Sequence, residues 1–347
     1  ITLQGTGTLT NMMDNDNPAT KDNTYQIAGS QDVAVASVKM KATNEAVKIT
    51  KLSVIADGDT NTLSNLVNNI NEIGIYDGST RIAYTNNIGV TSTMSGISFV
   101  VPTFEKTYTI KVNLNEYGLN KTAVLDTDVR FALLVDEAQG DMSGDPVSAP
   151  AQTGWSKYMA LTPAKVSAVS MVSSWSGINI VSHLSPGQTQ NAAIIKVTAP
   201  NFGNNTDSTG GEMKTLIDAI QLNLVGDYAT SSPYVSIERI GGSGNATSTT
   251  TINDGYAVLN LSGMADSDKA ITSGQDAYFL VKVKTATWDG TTNPGTKSLT
   301  VNLDKLNGTS TSGNGNYSFM WKAKDGTDKY DLRIPGVTKV DGIQISN

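Results

Sequence analysis

Between Val33 and Val135 the sequence returns again and again to short stretches in which apolar and polar residues alternate, separated by Gly, Asn, Asp and Pro. They are VAVASVKMKA (33–42), VKITKLSVIA (47–56), EIGIYD (72–77), TRIAYT (80–85), GISFVVP (96–102), YTIKVNL (108–114) and VRFALLV (129–135). A period of two puts alternate side chains on opposite faces of an extended chain, so each stretch reads as a strand with one buried face. Recurrence roughly every dozen residues, with turn residues between, is the spacing of an antiparallel sandwich and not of βαβ units. The one helical candidate, NTLSNLVNNI (61–70), is short and Asn-rich and reads as a helical turn or loop.

The second half repeats the plan in the same order. AAIIKVTAP (192–200) stands where VAVASVKMKA stood, and LIDAIQLNLVG (216–226) where VKITKLSVIA stood. YVSIERI (234–240), AVLNLSG (257–263), AYFLVKVKTA (277–286) and KSLTVNLDKL (297–306) follow EIGIYD, GISFVVP, YTIKVNL and VRFALLV. An internal duplication explains this order. The fold expected is all-β, with two tandem antiparallel β-sandwich domains (Ig-like or jelly-roll-like) and an amino-terminal extended strand. The boundaries expected are 1–32 for the strand and a polar connector, 33–160 for the first sandwich and 161–347 for the second.

ITLQGTGTLT (1–10) alternates as a strand with Ile1, Leu3, Gly5, Gly7 and Leu9 on one side, and a polar stretch follows it. GINIV (177–181) is the expected internal counterpart, and the closing KVDGIQISN (339–347) is similar to KVSAVSMVS (165–173). A second copy placed after Asn347 would set its own first strand where SWSGINI follows the first domain. Two readings stand side by side: a strand donated to a neighbouring copy, pairing along an open sheet edge while alternate side chains fill a core, or the first strand of its own domain. The small glycines at positions 5 and 7 suit the donated strand, which must present little bulk where backbones approach closely.

With Lys+Arg 25 against Asp+Glu 32, a net charge of −7 and no basic run, the chain lacks what phosphate neutralisation or an anionic lipid surface requires. There is no apolar run long enough for a membrane span. The absence of cysteine removes disulfides and, with a single histidine, the usual zinc ligands. That histidine, His183 in SHLSPG, has no nucleophile motif beside it and reads as a solvated turn residue. No phosphate-binding glycine loop occurs, because GGSGNATST (241–249) lacks the following Lys and helix. No Asp or Glu stands in an obviously apolar setting of the kind that makes a proton-transferring carboxyl. The chain is therefore read as a non-enzyme.

Calcium is the one cofactor weighed. Asp57, Asp59 and Asn61 alternate in DGDTN, Asp136, Glu137, Asp141 and Asp145 lie in DEAQGDMSGD, and DNDN spans 14–17. Oxygen ligands in turns are what calcium takes, but the spacing of a full calcium loop is missing, and Asp and Asn favour turns for backbone reasons alone. Asn-x-Ser/Thr triplets at Asn120, Asn204, Asn245, Asn307 and Asn316 permit glycosylation of an exported chain, while Asn260 falls within a candidate strand. YSFMW (317–321) is either a strand with one face buried or an aromatic surface for carbohydrate, with Trp321 as the ring to test.

The phrases ATNEAVKITKLSVIADG, LVNNINEIGIYDGSTRIA and FVVPTFEKTYTIKVNL resemble the repeated β-sandwich domains of prokaryotic surface proteins, including surface-layer proteins and extracellular filament subunits. The resemblance implies a structural, exported protein, here a mature chain after removal of a leader. In donor-strand filaments the donor is a terminal extension, as ITLQGTGTLT would be. Two domains and no disulfide set this chain apart from chaperone-assembled pilins. The expectation is a subunit of an extracellular filament that polymerises with itself head to tail. The alternatives are a surface-layer protein, an adhesin or carbohydrate-binding module that meets surface glycans, and a secreted glycan-active enzyme.

Overall fold

The computed structural model describes residues 7–17, 24–125, 127–229, 235–242, 247–250, 252, 254–287, 297–304, 318–325, 329–330 and 339–346. It is an all-β sandwich architecture in two compact units. Unit 1 comprises Ile1–Pro163 and Gly203–Gly210, and unit 2 comprises Ala164–Phe202 and Gly211–Asn347.

In unit 1 one sheet has the order β1 (Thr8–Met13), β3 (Val33–Thr43), β8 (Lys106–Leu114), β5 (Ile70–Asp77) and β6 (Thr80–Thr85). The other runs β2 (Thr24–Ile27), β11 (Met159–Thr162), β9 (Asp128–Gly140), β4 (Val47–Gly58) and β7 (Thr91–Val101), with β10 (Pro146–Val147) on β9. Pairing is antiparallel except between β2 and β11. The alternation does its work directly. In β8 Tyr108, Ile110, Val112 and Leu114 are buried while the residues between them are half-buried. These side chains meet Val38, Met40, Ile49, Leu52, Val54, Phe131, Leu133 and Val135 in one apolar core. NTLSNLVNNI forms two helical turns, Thr60–Ser64 and Leu66–Asn69, the first capped by Asp59, whose carboxylate accepts from the Thr62 N–H at 2.7 Å.

Unit 2 repeats the order of the first sheet: β12 (Ala168–Val172), β15 (Thr189–Thr198), β21 (Asp276–Lys284), β17 (Val235–Arg239) and β18 (Thr247–Thr250). In its second sheet β16 (Lys214–Gly226) carries β19 (Tyr256–Asn260) and β20 (Ala270–Thr272) on one side. On the other side lie β22 (Ser298–Asp304) and β23 (Phe319–Ala323), with β25 (Lys339–Ser346) on β22 and β24 (Lys329–Tyr330) on β23. The duplication extends to irregularities: β3 is bulged between Ala34 and Ala36 against β8, and β15 between Asn191 and Ala193 against β21.

This topology corrects two pairings expected from sequence. The counterpart of β1 is β12, the AVSMV stretch, because both lie on the edge strand position beside β3 and β15. GINIV instead contributes to a separate hairpin, β13 (Ser174–Trp175) with β14 (Ile178–Asn179). KVDGIQISN corresponds to β11 and not to KVSAVSMVS, since β25 flanks β22 as β11 flanks β9. The error has a simple origin: short apolar strands resemble one another, and only the pairing partner tells them apart.

YSFMW contributes to β23, in which Phe319, Trp321 and Ala323 are buried. Trp321 has no exposed surface, so it offers no platform to a ligand. The expectation that no carboxylate stands in an apolar setting is also corrected. Asp218 sits at a bulge of β16 between Ile217 and Ala219, 2 % exposed. A bulge adds a residue to one strand and re-aims its side chain, and here the carboxylate meets Lys322 Nζ at 2.7 Å and buried Lys269 Nζ at 3.5 Å.

Candidate functional site

The described part of the opening strand is built into unit 1. β1 pairs with β3 from Thr8 opposite Thr43 to Met13 opposite Val38, and Leu9 and Met13 are buried in the unit 1 core. Gly7 is buried too, and a Cβ there would lie 3.0 Å from Glu45 Cγ and 3.3 Å from Val47 Cγ2. Ile1, Leu3 and Gly5 lie outside the described residues.

Glu45 is the residue that sequence reasoning passed over. It stands in the turn between β3 and β4, beside Asn44, which takes the left-handed conformation at φ 71°. Its buried carboxylate accepts the Ser143 hydroxyl at 2.6 Å and the Met142 and Ser143 N–H groups at 3.1 Å each, and the Gly7 N–H donates to it as well. The Ser143 hydrogen bonds, ahead of the others, hold its carboxyl below the usual glutamate range. Gly140 is required beside it, because a Cβ would run into Glu45 Oε1 and Ser143 Oγ. One carboxylate thus ties the start of β1 to the 141–144 loop. Since the folded group binds its proton more weakly than the unfolded one, its contribution is present above the usual glutamate range and is lost as pH falls through the lowered value. Protection of the Met142 and Ser143 amides, taken relative to the exchange rate of an unstructured chain at the same pH, is expected to fall in that acid window, and to be low already at neutral pH in Glu45→Gln. Equal exchange in variant and parent would remove the latch.

The acidic loops hold their carboxylates in separate roles. Asp57 accepts from Arg130 at 2.7 Å and 2.6 Å, and Asp59 is a helix cap. Asp136 accepts from Ser53 Oγ at 2.7 Å, Asp14 pairs with Lys39 at 2.9 Å, and Asp141 and Asp145 are exposed. Asn61 falls in the first helical turn. Among the described residues no group of three or more His, Asp or Glu is placed to hold a metal ion. Of the glycosylation candidates, Asn120 is exposed at φ 60° and exposed Asn204 donates to Glu116 Oε1 at 2.8 Å. Asn245, Asn307 and Asn316 lie outside the described residues, Asn260 is exposed on β19, and His183 is exposed in its turn.

Two surface features remain. In unit 1 an open polar pocket of about 320 Å³ is lined by Gln31, Asn71, Asn115, Glu116, Asn120 and Lys121 among others. Glu116 pairs there with Lys121 at 2.5 Å, which with Asn204 holds its carboxyl low. In unit 2 the β13–β14 hairpin turns through Ser176 (φ 50°) and Gly177 (φ 79°), the paired left-handed conformation of a tight two-residue turn. The hairpin stacks Trp175 on Tyr278 with ring centroids 3.7 Å apart and planes 7° from parallel. Beneath it Ile194, Tyr278 and Leu280 form a small second cluster with Val172, Ile178, Ile180 and Ile240.

No helix among the described residues is long and apolar enough to cross a membrane. No family model matches the chain, and no curated protein does. Among solved structures, a DUF4466 family protein from Parabacteroides merdae is 12% identical over 80% of this chain and 99% of that chain, with a TM-score of 0.26. The CupB6 tip adhesin from Pseudomonas aeruginosa is 6% identical, covering 98% of each chain, with a TM-score of 0.22. The Enterococcus faecalis MSCRAMM ACE is 7% identical over 97% of this chain and 93% of that chain, with a TM-score of 0.15. Scores this low do not establish a common fold.

Proposed function

We propose that the chain is a structural repeat protein of an extracellular filament, assembling with itself head to tail by β-strand addition. The observation that carries this reading is the repetition itself. The two units share one strand order and one bulge position, and each supplies its own first strand, β1 or β12. Repeating a sandwich multiplies surface without adding chemistry. The opening strand takes a narrower part than its sequence suggests. Gly7 and Leu9 serve their own unit, so strand addition to a neighbour falls to Ile1, Leu3 and Gly5. An alternating segment pairing along a neighbour's sheet edge gains ladder bonds, and about 1.5 to 3 kcal/mol for each apolar side chain it buries fully.

Electron micrographs of residues 1–347 and 7–347 test this reading. The full chain is expected to form filaments and the shortened one to remain folded and dispersed. Filaments that persist without residues 1–6 would overturn the donated strand, and a planar lattice would favour a surface layer. Calcium enters the same experiment, as loss of assembly in chelator that returns on adding the metal.

A further inference from the structure

We propose that Trp175 and the cavity beside it in unit 2 bind a neutral glycan chain. The outer face of the first sheet is where the two units part company. Aligned on their bulges, Ser37, Thr107 and Thr109 of unit 1 correspond to Ile194, Tyr278 and Leu280 of unit 2. A polar face has become an apolar one, and the stretch between the first and second strands of that sheet, which includes β2 in unit 1, holds the β13–β14 hairpin in unit 2. The hairpin covers the apolar face, yet it leaves Trp175 44 % exposed. Tyr278 occupies one face of the indole, held flat by the stack, so the other face is presented to solvent as a rigid platform.

The platform adjoins a cavity. Ile178, directly opposite Trp175 in the hairpin, lines a space of about 160 Å³ together with Glu238, Arg239, Ile240, Gly242 and Asp268. Ile240 donates its N–H to the Tyr278 carbonyl at 2.9 Å, which fixes the cavity one strand away from the stacked rings. This is smaller than the ~300–1,000 Å³ of a drug-sized pocket and suits a single ring. Its surroundings mix hydrogen-bond donors and acceptors with cancelling charge. Glu238 pairs with Lys282 at 2.7 Å, Lys196 with Asp276 at 2.9 Å, and Arg239 lies beside Asp268. A flat apolar ring face for C–H groups, with paired polar groups at its margin and no net charge, matches the two-sided chemistry of a neutral sugar. An anionic glycan would find Lys196 and Lys282 already paired with carboxylates and Arg239 donating to the Ala270 carbonyl at 3.0 Å.

The test is titration of residues 1–347 with cello-, manno-, galacto- and chitotetraose, and with an acidic tetragalacturonate, read by calorimetry and tryptophan fluorescence. At least one neutral tetramer is expected to bind, with affinity lowered about tenfold or more by Trp175→Ala, less by Trp175→Phe, and unchanged by Phe104→Ala in unit 1. A thermal melt of each variant separates loss of the platform from loss of fold, and the Phe variant keeps a ring where alanine disturbs the hairpin. No neutral tetramer binding, a preference for the acidic one, or binding indifferent to Trp175 overturns the proposal. So does a change in sedimentation of Trp175→Ala without sugar, which would make the face a protein interface. Filament formation is read separately and is expected to survive both Trp175 variants.

Discussion

Asp218→Ala is expected to lower the melting temperature of unit 2 by roughly 10 °C while leaving unit 1 unchanged, as two transitions resolved by calorimetry. The carboxylate side chain is 3% exposed and stands between Lys322 and Lys269, whose own side chain is 6% exposed. Lys269 also donates to the Ser262 carbonyl at 3.2 Å and lies 3.7 Å from Asp266, an exposed carboxylate that offsets its charge only in part. Removing the buried partner of such a pair leaves a poorly compensated charge, at a cost of about 3 kcal/mol, the low end of the range for broken buried pairs. Asp218→Leu combined with Lys269→Met removes both charges and is expected to cost far less, because Lys322 is half-exposed and its ammonium reaches water along its own stem. A double variant as unstable as the single one would show that packing, and not the unpaired ammonium, sets the loss.

Asn205→Ala is expected to destabilise unit 1 by about 2–4 kcal/mol, the sum of several buried groups left without partners. Asn205 lies in the Gly203–Gly210 loop that the chain contributes to unit 1 after β15. Its amide donates to the Ala28 carbonyl at 2.8 Å and the Pro163 carbonyl at 3.0 Å, and accepts the Tyr117 N–H at 2.9 Å. Thr206 adds the Leu119 N–H at 3.2 Å and its own N–H to the Tyr117 carbonyl at 3.1 Å. A fragment ending at Pro163 lacks all of these, so residues 1–163 alone are expected to unfold at lower denaturant than unit 1 in the full chain. Equal midpoints would show that the loop is dispensable.

The long strands were legible because burial on one face writes itself into alternate residues. VAVASVKMKA, VKITKLSVIA and YTIKVNL become β3, β4 and β8 with only a residue or two added at an end. Strands of two to five residues, such as β2, β10 and β11, carry too few alternations to be seen. β2 and β11 are held in place by pairing with each other across the length of unit 1, and that same non-local information decided that AVSMV, and not GINIV, answers to β1. Asp218 was visible as a lone acid within LIDAI, a signal that a bulge turned inward. Trp321 was open to both readings and Trp175 drew none, since a tryptophan on a short strand is equally at home in a core or on a surface. Glu45 gave no signal at all: its donors come from Gly7 and from residues 142 and 143, the latter close to a hundred positions away.

The parallel pairing of β2 with β11, from Thr24 opposite Met159 to Ile27 opposite Thr162, bears on how the chain carries tension. Load that enters ahead of β2 and leaves past β11 drags the two strands in opposite directions along their own axes. Every ladder bond between them is then stretched at once, in shear, where an antiparallel terminal pair would peel apart one bond at a time. Among the described residues β25, which holds the β11 position in unit 2, has no parallel partner. The sheared terminal pair seen among the described strands therefore belongs to unit 1.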